Sequence, residues 1–396
     1  MIPRHATSIL ATLLSQPKPV LVLGARQVGK TTLIETSLPA TQMAYLNLDI
    51  ATDMARLISL AALSPREAVS ALTTGKPYLV IDEAQRWEGL GQLVKGWFDA
   101  RVPCHIVLLG SSSLDLLDKS AEALTGRNEK LYLPPLLVHE VVEYQPWYTR
   151  ALSIEQLQQR FAPQINALIT QHVVYGLYPE AVTTERKWPY LLNLAHDYIL
   201  KDVFQLGLTR APETLRTLLQ LLAHQIGSEV SVSELATRAG AARLTVERYL
   251  QLLQDAFVIF KLPAFSRNPR NEISKSAKYF FWDVGVRNAV LNNFAPTESR
   301  TDVGAVWENF VVAEFAKHNA LTGFGRNLYF WRNNDQSEVD LVVERNGVLQ
   351  AFEIKWAGGR GTRTMGRAFS SAYHSPVNVI HTGNALAHLP HPASPS

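Results

Sequence analysis

A chain of 396 residues, 47% apolar and 18% charged, has material for two to four folded domains. Its net charge of only +3 excludes a whole-molecule field that would bind nucleic acid unaided, so any basic surface must be local. The single cysteine, Cys104, excludes an internal disulfide, and the eleven histidines lack the spacing of zinc ligands.

The first residues are mildly basic and apolar but lead into a motif without a cleavage site, so no signal peptide is expected. No apolar run approaches the ~20 residues that span a bilayer. The expectation is a soluble, cytoplasmic protein with no membrane partner. The stretch "PVLVLGARQVGKTTLIE" reads as strand, loop and helix, and its loop spells G-x-x-x-x-G-K-T from Gly24 to Thr31. Gly24 and Gly29 let the backbone N–H groups of Ala25, Arg26, Gln27 and Val28 turn toward phosphate oxygens, beside a helix start at Lys30, Thr31 and Thr32. Lys30 would reach the β- and γ-phosphates of ATP, and the Thr31 hydroxyl would hold Mg²⁺. "KPYLVIDEAQ" supplies the acids such a loop needs: Asp82 for Mg²⁺ and Glu83 to orient or deprotonate the attacking water. "HIVLLGSSS" sets Ser111 and Ser112 at a strand end, where sheet ligands bind. Arg127, before "KLYLPPL", is a candidate for the γ-phosphate in cis or from a neighbouring subunit, or else a plain surface arginine. With "MAYLNLD", five strands alternate with helical stretches and imply a parallel α/β sheet over residues 1–140.

Residues 141–207 read as a helical connector without evident chemistry. From 208 to 295 the pattern becomes helix, turn, helix. Ser231 and Glu234 have capping-box spacing, Gly240 marks the turn, and Arg243 and Arg248 point outward from a helix whose apolar face is Val246, Leu250 and Leu253. A second helix of this kind could enter a major groove. Lys261 to Lys278 reads as a wing, with Arg267, Arg270, Lys275 and Lys278 among five basic residues against one acid, a local charge of +4 that could lie along DNA phosphates. Packing against protein alone is the competing account.

Residues 296–383 contain "SEVDLVVERNGVLQAFEIKWAGG". Asn346-Gly347 is a strong signal for a two-residue type I′ hairpin. Such a turn pairs Arg345 with Val348, Val342 with Ala351, Asp340 with Glu353 and Glu338 with Lys355. Val339, Leu341, Val343, Phe352 and Ile354 then form the opposite, core face. Asp340 and Glu353 would stand with Cβ atoms ~5 Å apart. Their repulsion is removed by a divalent ion between them, Mg²⁺ or Mn²⁺, with the Ile354 carbonyl as a further ligand. Lys355 on the same face would position a water or a phosphate oxygen. The alternative is that Lys355 bridges Glu338 and Asp340 finds a donor elsewhere. Residues 384–396 read as a disordered tail.

"GARQVGKTTL", "LVIDEAQ", "LLGSSS", "TGR", "YPEAV", "KYFFWDVGV", "WENFVVAE", "YFWRNN", "EVDLVV" and "EIK" together resemble a prokaryotic family of predicted AAA+ ATPases whose C-terminal half is a domain of unknown function. The resemblance covers nearly the whole chain. It implies Lys30, Asp82 and Glu83 as Walker residues and Ser111 or Ser112 as sensor. No second arginine sensor is recognisable, which leaves oligomer formation open. The spacing D-x₁₂-E-x-K resembles the PD-(D/E)XK nuclease superfamily, which often adds a glutamate from a preceding helix; here that residue is Glu308 in "GAVWENFVVAEF". The expected fold is a multidomain α/β protein: an AAA+ P-loop parallel sheet, a helical connector, a winged helix-turn-helix and a restriction-endonuclease-like α/β domain. The expected function is ATP hydrolysis in a DNA-associated protein with a metal-dependent nuclease-like domain. The alternative is a nucleotide-dependent switch whose C-terminal half binds protein or DNA without cleavage.

Overall fold

The computed structural model describes residues 2–110, 124, 126–199, 212–266, 277–333, 337–357 and 366–391. It divides into two compact units, Pro3–Pro134 and Pro135–Ser396. Among the described residues, no helix is long and apolar enough to cross a membrane.

The first unit is built on five strands: β1 (Val20–Leu23), β2 (Met43–Asn47), β3 (Tyr78–Asp82), β4 (His105–Gly110) and β5 (Glu129–Tyr132), in the order β2-β3-β4-β1-β5 and all parallel. Strands covered on both faces read as unbroken apolar runs, and every residue of β1 is buried. The five expected strands therefore form the expected sheet. Its helices include α1 (Ala6–Leu14), α2 (Lys30–Ser37), α3 (Ala51–Leu60), α4 (Pro65–Thr73) and α5 (Leu90–Asp99). Because β1 is interior and parallel to its neighbours, the loop after it and the C-terminal end of β3 emerge at the same edge of the sheet, where α/β folds bind ligands.

The second unit begins with short helices from Val138–Glu143 to Lys187–Asn193 and the helix Pro212–His224. The expected helix pair follows as Val232–Arg238 and Arg243–Asp255, with Gly240 at φ +62° in the turn between them. Only half of the expected capping box forms. The Ser231 hydroxyl accepts from the Glu234 N–H, while the Glu234 carboxylate lies 3.6 Å from Arg238. A small antiparallel sheet, β6 (Glu229–Val230), β8 (Ala277–Phe281) and β7 (Ile259–Pro263), packs with this pair. The long helix Val303–Leu321 precedes a second sheet of order β12-β11-β10-β9: β9 (Asn327–Arg332), β10 (Glu338–Arg345), β11 (Val348–Ile354) and β12 (Val377–Ile380). The two sheets are joined through the main chain. Ala264 bridges Phe330, and the Phe265 N–H donates to the Phe330 carbonyl at 2.7 Å.

The expected disordered tail, residues 384–396, needs correction as far as His391, and residues 392–396 lie outside the described residues. Ala385–His388 is helical, with Ala385, Leu386 and Leu389 buried, and the Leu386 N–H donates to the Gln158 side chain at 3.0 Å. Three apolar side chains in a short segment of low complexity are enough to anchor it.

His172 is fully enclosed in the helix Ala162–Tyr175, with Nδ1 2.8 Å from the Gly176 carbonyl. Burial lowers its pKa to about 4, because the charged imidazolium cannot be solvated there. The unfolded chain therefore binds this proton more readily than the folded one, and stability is lost as pH falls from the ordinary histidine range toward 4. The full contribution is at most about 3 kcal/mol. His172→Gln should flatten the fall in melting temperature between pH 6.5 and 4; a profile parallel to that of the unsubstituted protein would show another group to be responsible.

Candidate functional site

The loop after β1 is shaped by contacts that only certain residues tolerate. A Cβ on Gly24 would lie 2.2 Å from the Leu133 carbonyl oxygen, because the chain leaving β5 stays paired with β1. Gly29 caps α2 at φ +94°, a left-handed conformation that side chains disfavour. Arg4 braces the loop by donating to the Val28 carbonyl at 2.8 Å and the Pro134 carbonyl at 2.7 Å. The buried Lys30 ammonium donates to the carbonyls of Gly24 and Ala25 at 2.8 and 2.9 Å, which holds its charge over the loop. Thr31 donates to Asp82 at 2.8 Å, joining the loop to the end of β3.

Sequence reasoning missed a third group here. The Tyr45 phenol donates to the same Asp82 oxygen at 2.6 Å, and burial together with this bond raises its pKa well above the usual tyrosine range. The alternation in "MAYLNLD" could have placed Tyr45 on a face, but not β2 beside β3. Glu83 sits at φ +51°, its N–H donates to Asp82 at 2.8 Å, and its carboxylate accepts from the Gln85 amide. Gln85 was also not foreseen.

Arg127 does not reach this edge. It precedes β5, which runs parallel to β1, so it lies at the opposite end of the sheet from Gly24–Thr32 and pairs there with Asp99 at 2.9 Å. A γ-phosphate contact in cis is excluded by strand direction. Ser111, Ser112, Arg267, Arg270 and Lys275 lie outside the described residues. Arg243 and Arg248 are exposed as expected, with Arg243 paired to Glu247 at 2.9 Å.

The second cluster surrounds the β10–β11 hairpin. The register holds from Arg345↔Val348 to Leu341↔Phe352. Beyond that point the expectation fails in two ways. β10 carries one extra residue against β9 between Val339 and Val342, a bulge. Val339 consequently turns to the core of Trp331, Val342, Ala351 and Phe369 instead of joining the face of Leu341. Asp340, freed from regular pairing, accepts the Ile354 N–H at 2.7 Å. Glu338 does not meet Lys355. It lies 2.5 Å from Lys278. The Lys355 ammonium sits 3.1 Å from Glu353 and 3.7 Å from Asp340.

Lys278 is the larger correction. Expected on a phosphate-facing wing, it is 2% exposed and also lies 3.0 Å from Glu308. Inward-facing positions of β8 point at the helix Val303–Leu321, and charge counting along the sequence could not reveal that. Glu308, Glu338, Asp340 and Glu353 thus converge on two ammonium groups. Burial pushes Glu308 up to about 7 against the pull of Lys278, with Asp340 adding to the rise; burial and Asp340 likewise push Glu353 up to about 7 against Lys355. Burial opposes the charge of Lys278, but its acids outweigh it and its pKa lies above the usual lysine range. The buried Oε1 of Glu353 has no hydrogen-bond partner, the donor atom that a hard divalent cation would use.

Asp340→Ala removes the acceptor of a buried N–H and should lower stability by about 1–3 kcal/mol without metal, despite relieving repulsion from Glu353. Asp340→Asn keeps an acceptor and should stay within about 1 kcal/mol of the original chain. Denaturant unfolding of the two variants tests this, and equal losses would mean that the Ile354 N–H does not depend on residue 340.

Comparison with known proteins agrees with the first site. An AAA domain model matches residues 16–142, and two models, both domains of unknown function (DUF8612 and DUF4143), match residues 166–297 and 303–391. An uncharacterized protein of Mycobacterium tuberculosis is 30% identical over 357 residues, covering 89% of this chain and 73% of the relative. One from Haemophilus influenzae is 23% identical over 362 residues, covering 84% and 82%. Among solved structures, a Walker-type ATPase of Pyrococcus abyssi is similar at 16% identity and a TM-score of 0.48, covering 74% of this chain and 96% of that one. The chain carries an AAA-like P-loop domain followed by two domains of unknown function, and it belongs to the same family as the uncharacterized mycobacterial protein.

Proposed function

We propose that the chain binds and hydrolyses ATP with Mg²⁺ in its first unit and is a DNA-associated protein with a metal-dependent nuclease-like domain at residues 296–383. The observation that carries the first part is the 2.8 Å bond from Thr31 to Asp82, because it joins the two motifs on one Mg²⁺ position across 51 residues of sequence. Lys30 sits where it can exchange its loop carbonyls for β- and γ-phosphate oxygens. Glu83, held by Gln85, orients the attacking water, and Tyr45 steadies Asp82.

The second part rests on chemistry of the donor set. Asp340 and Glu353 would hold a divalent cation, which would stabilise the charge that develops when a phosphodiester is attacked. Lys355, 39% exposed, would exchange its contact with Glu353 for a phosphate oxygen. The helix pair 232–255 followed by the antiparallel strands β7 and β8 has the order of a winged helix-turn-helix, and exposed Arg243 and Arg248 suit DNA phosphates. One observation favours the alternative of a nucleotide-dependent switch that binds without cutting: Lys278 already engages two of the four acids.

Lys30→Ala should abolish ATP binding, and Glu83→Gln should retain it while slowing turnover by about 10²-fold or more. Normal turnover by the Glu83→Gln protein would remove the Walker assignment. Incubation of single- and double-stranded DNA and RNA with Mg²⁺ or Mn²⁺ should give cleavage that Asp340→Asn abolishes while ATP turnover is unchanged. Absence of cleavage on all substrates would leave the switch.

A further inference from the structure

We propose that Lys278 is a built-in cation that reserves Glu308 and Glu338, so that the acid cluster takes a single divalent ion, at Asp340 and Glu353. The proposal rests on reading the cluster as a divalent-cation site, and it assigns a role to a residue from outside the hairpin.

Lys278 is fixed in place. Its strand β8 is paired on both sides, with Glu229 opposite on β6 and Leu262 opposite on β7. Its ammonium lies 5.4 Å above the Phe330 ring and contacts one carboxylate from the helix Val303–Leu321 and one from the first residue of β10. Two carboxylates converging on one buried point is also the arrangement that would hold a second metal ion, and the ammonium satisfies it without one.

The acids it holds are held elsewhere too. A Cβ on Gly227 would lie 2.8 Å from Glu308 Oε2, so the glutamate is pressed between the lysine and a turn at φ +75°. The adjacent Asn309 bonds the N–H and carbonyl of Phe281 at 3.0 and 2.7 Å, locking the helix to β8. Glu308 therefore cannot swing toward Asp340 without releasing Lys278. On β9, Arg332 stands beside Glu338 in register, yet it pairs with Glu229 at 3.0 Å and leaves Glu338 to Lys278. Lys355 differs: it is 39% exposed and 3.1 Å from its nearer acid, so it can yield to an ion that takes the unpartnered Oε1 of Glu353.

Counting bound Mn²⁺ on the nucleotide-free full chain, by titration followed with electron paramagnetic resonance, tests this. Relative to Asp340→Asn, the unsubstituted protein should bind one more ion and Lys278→Ala two more. Glu308→Gln, which leaves Lys278 one carboxylate and should fold normally, should retain the one ion with less than a threefold change in Kd. The same ion count for Lys278→Ala and the unsubstituted protein would overturn the proposal while leaving the Asp340–Glu353 site intact. A tenfold or greater loss of affinity in Glu308→Gln would also overturn it, by making Glu308 a direct ligand, and it decides the matter if Lys278→Ala does not fold. If the unsubstituted protein matches Asp340→Asn but Lys278→Ala gains an ion, the role of Lys278 stands and the Asp340–Glu353 site falls.

Discussion

The helix Val303–Leu321 is buried on nearly all sides from Val306 onward, and this constraint organises the second unit. A buried helix with polar side chains must find them partners, since each unpaired group costs a large desolvation penalty. Glu308 takes Lys278, and Asn309 takes the backbone of Phe281. Glu314 pairs with Lys317 and accepts the Val138 N–H at 2.8 Å, while Lys317 donates to the Leu136 carbonyl at 2.8 Å. Asn319 donates to the Arg326 carbonyl at 2.8 Å. Helical segments, the small sheet and the residue before β9 are thus each tied to one axis by a polar bond, and the acid cluster lies where Lys278 joins that axis to Glu338 of β10.

The two candidate sites are made by different physics. Around Asp82 the work is conformational: left-handed Gly29 and Glu83 turn the chain, and two hydroxyls fix one carboxylate oxygen. At the hairpin the work is electrostatic. Four acids are balanced by two lysines of unequal freedom, one enclosed and one partly in solvent. A site of the first kind tolerates little change in backbone, whereas one of the second kind responds to any change in local charge.

The same contrast governs how much was legible in the sequence. Gly24, Lys30, Thr31 and Asp82 are separated by short fixed spacings or lie at a strand end, so local pattern was enough to foresee that Thr31 and Asp82 would meet. Tyr45 and Arg127 depended on strand order and direction, which local pattern does not contain. The hairpin register followed from Asn346-Gly347 as far as Leu341, because a two-residue turn fixes pairing outward from itself. It failed at Asp340 because the bulge is set by the neighbouring β9, a third strand that the turn cannot report. Lys278 was misjudged for a related reason. A basic run looks alike whether one member points into the protein or all point out, and only the pairing of β8 decides.

The strand bridge from Ala264 to Phe330 has a consequence for ancestry. The segments before and after residue 295 look like two separable modules in sequence, yet Ala264 and Phe265, just after β7, meet Phe330 of β9 through the main chain. Parting them would break the bond between the Phe265 N–H and the Phe330 carbonyl and uncover that part of two edge strands, a template for wrong association. It would also strand Lys278 away from Glu308 and Glu338. Recombination that exchanged either piece alone would yield a chain prone to aggregate, so the two should be inherited as a single cassette.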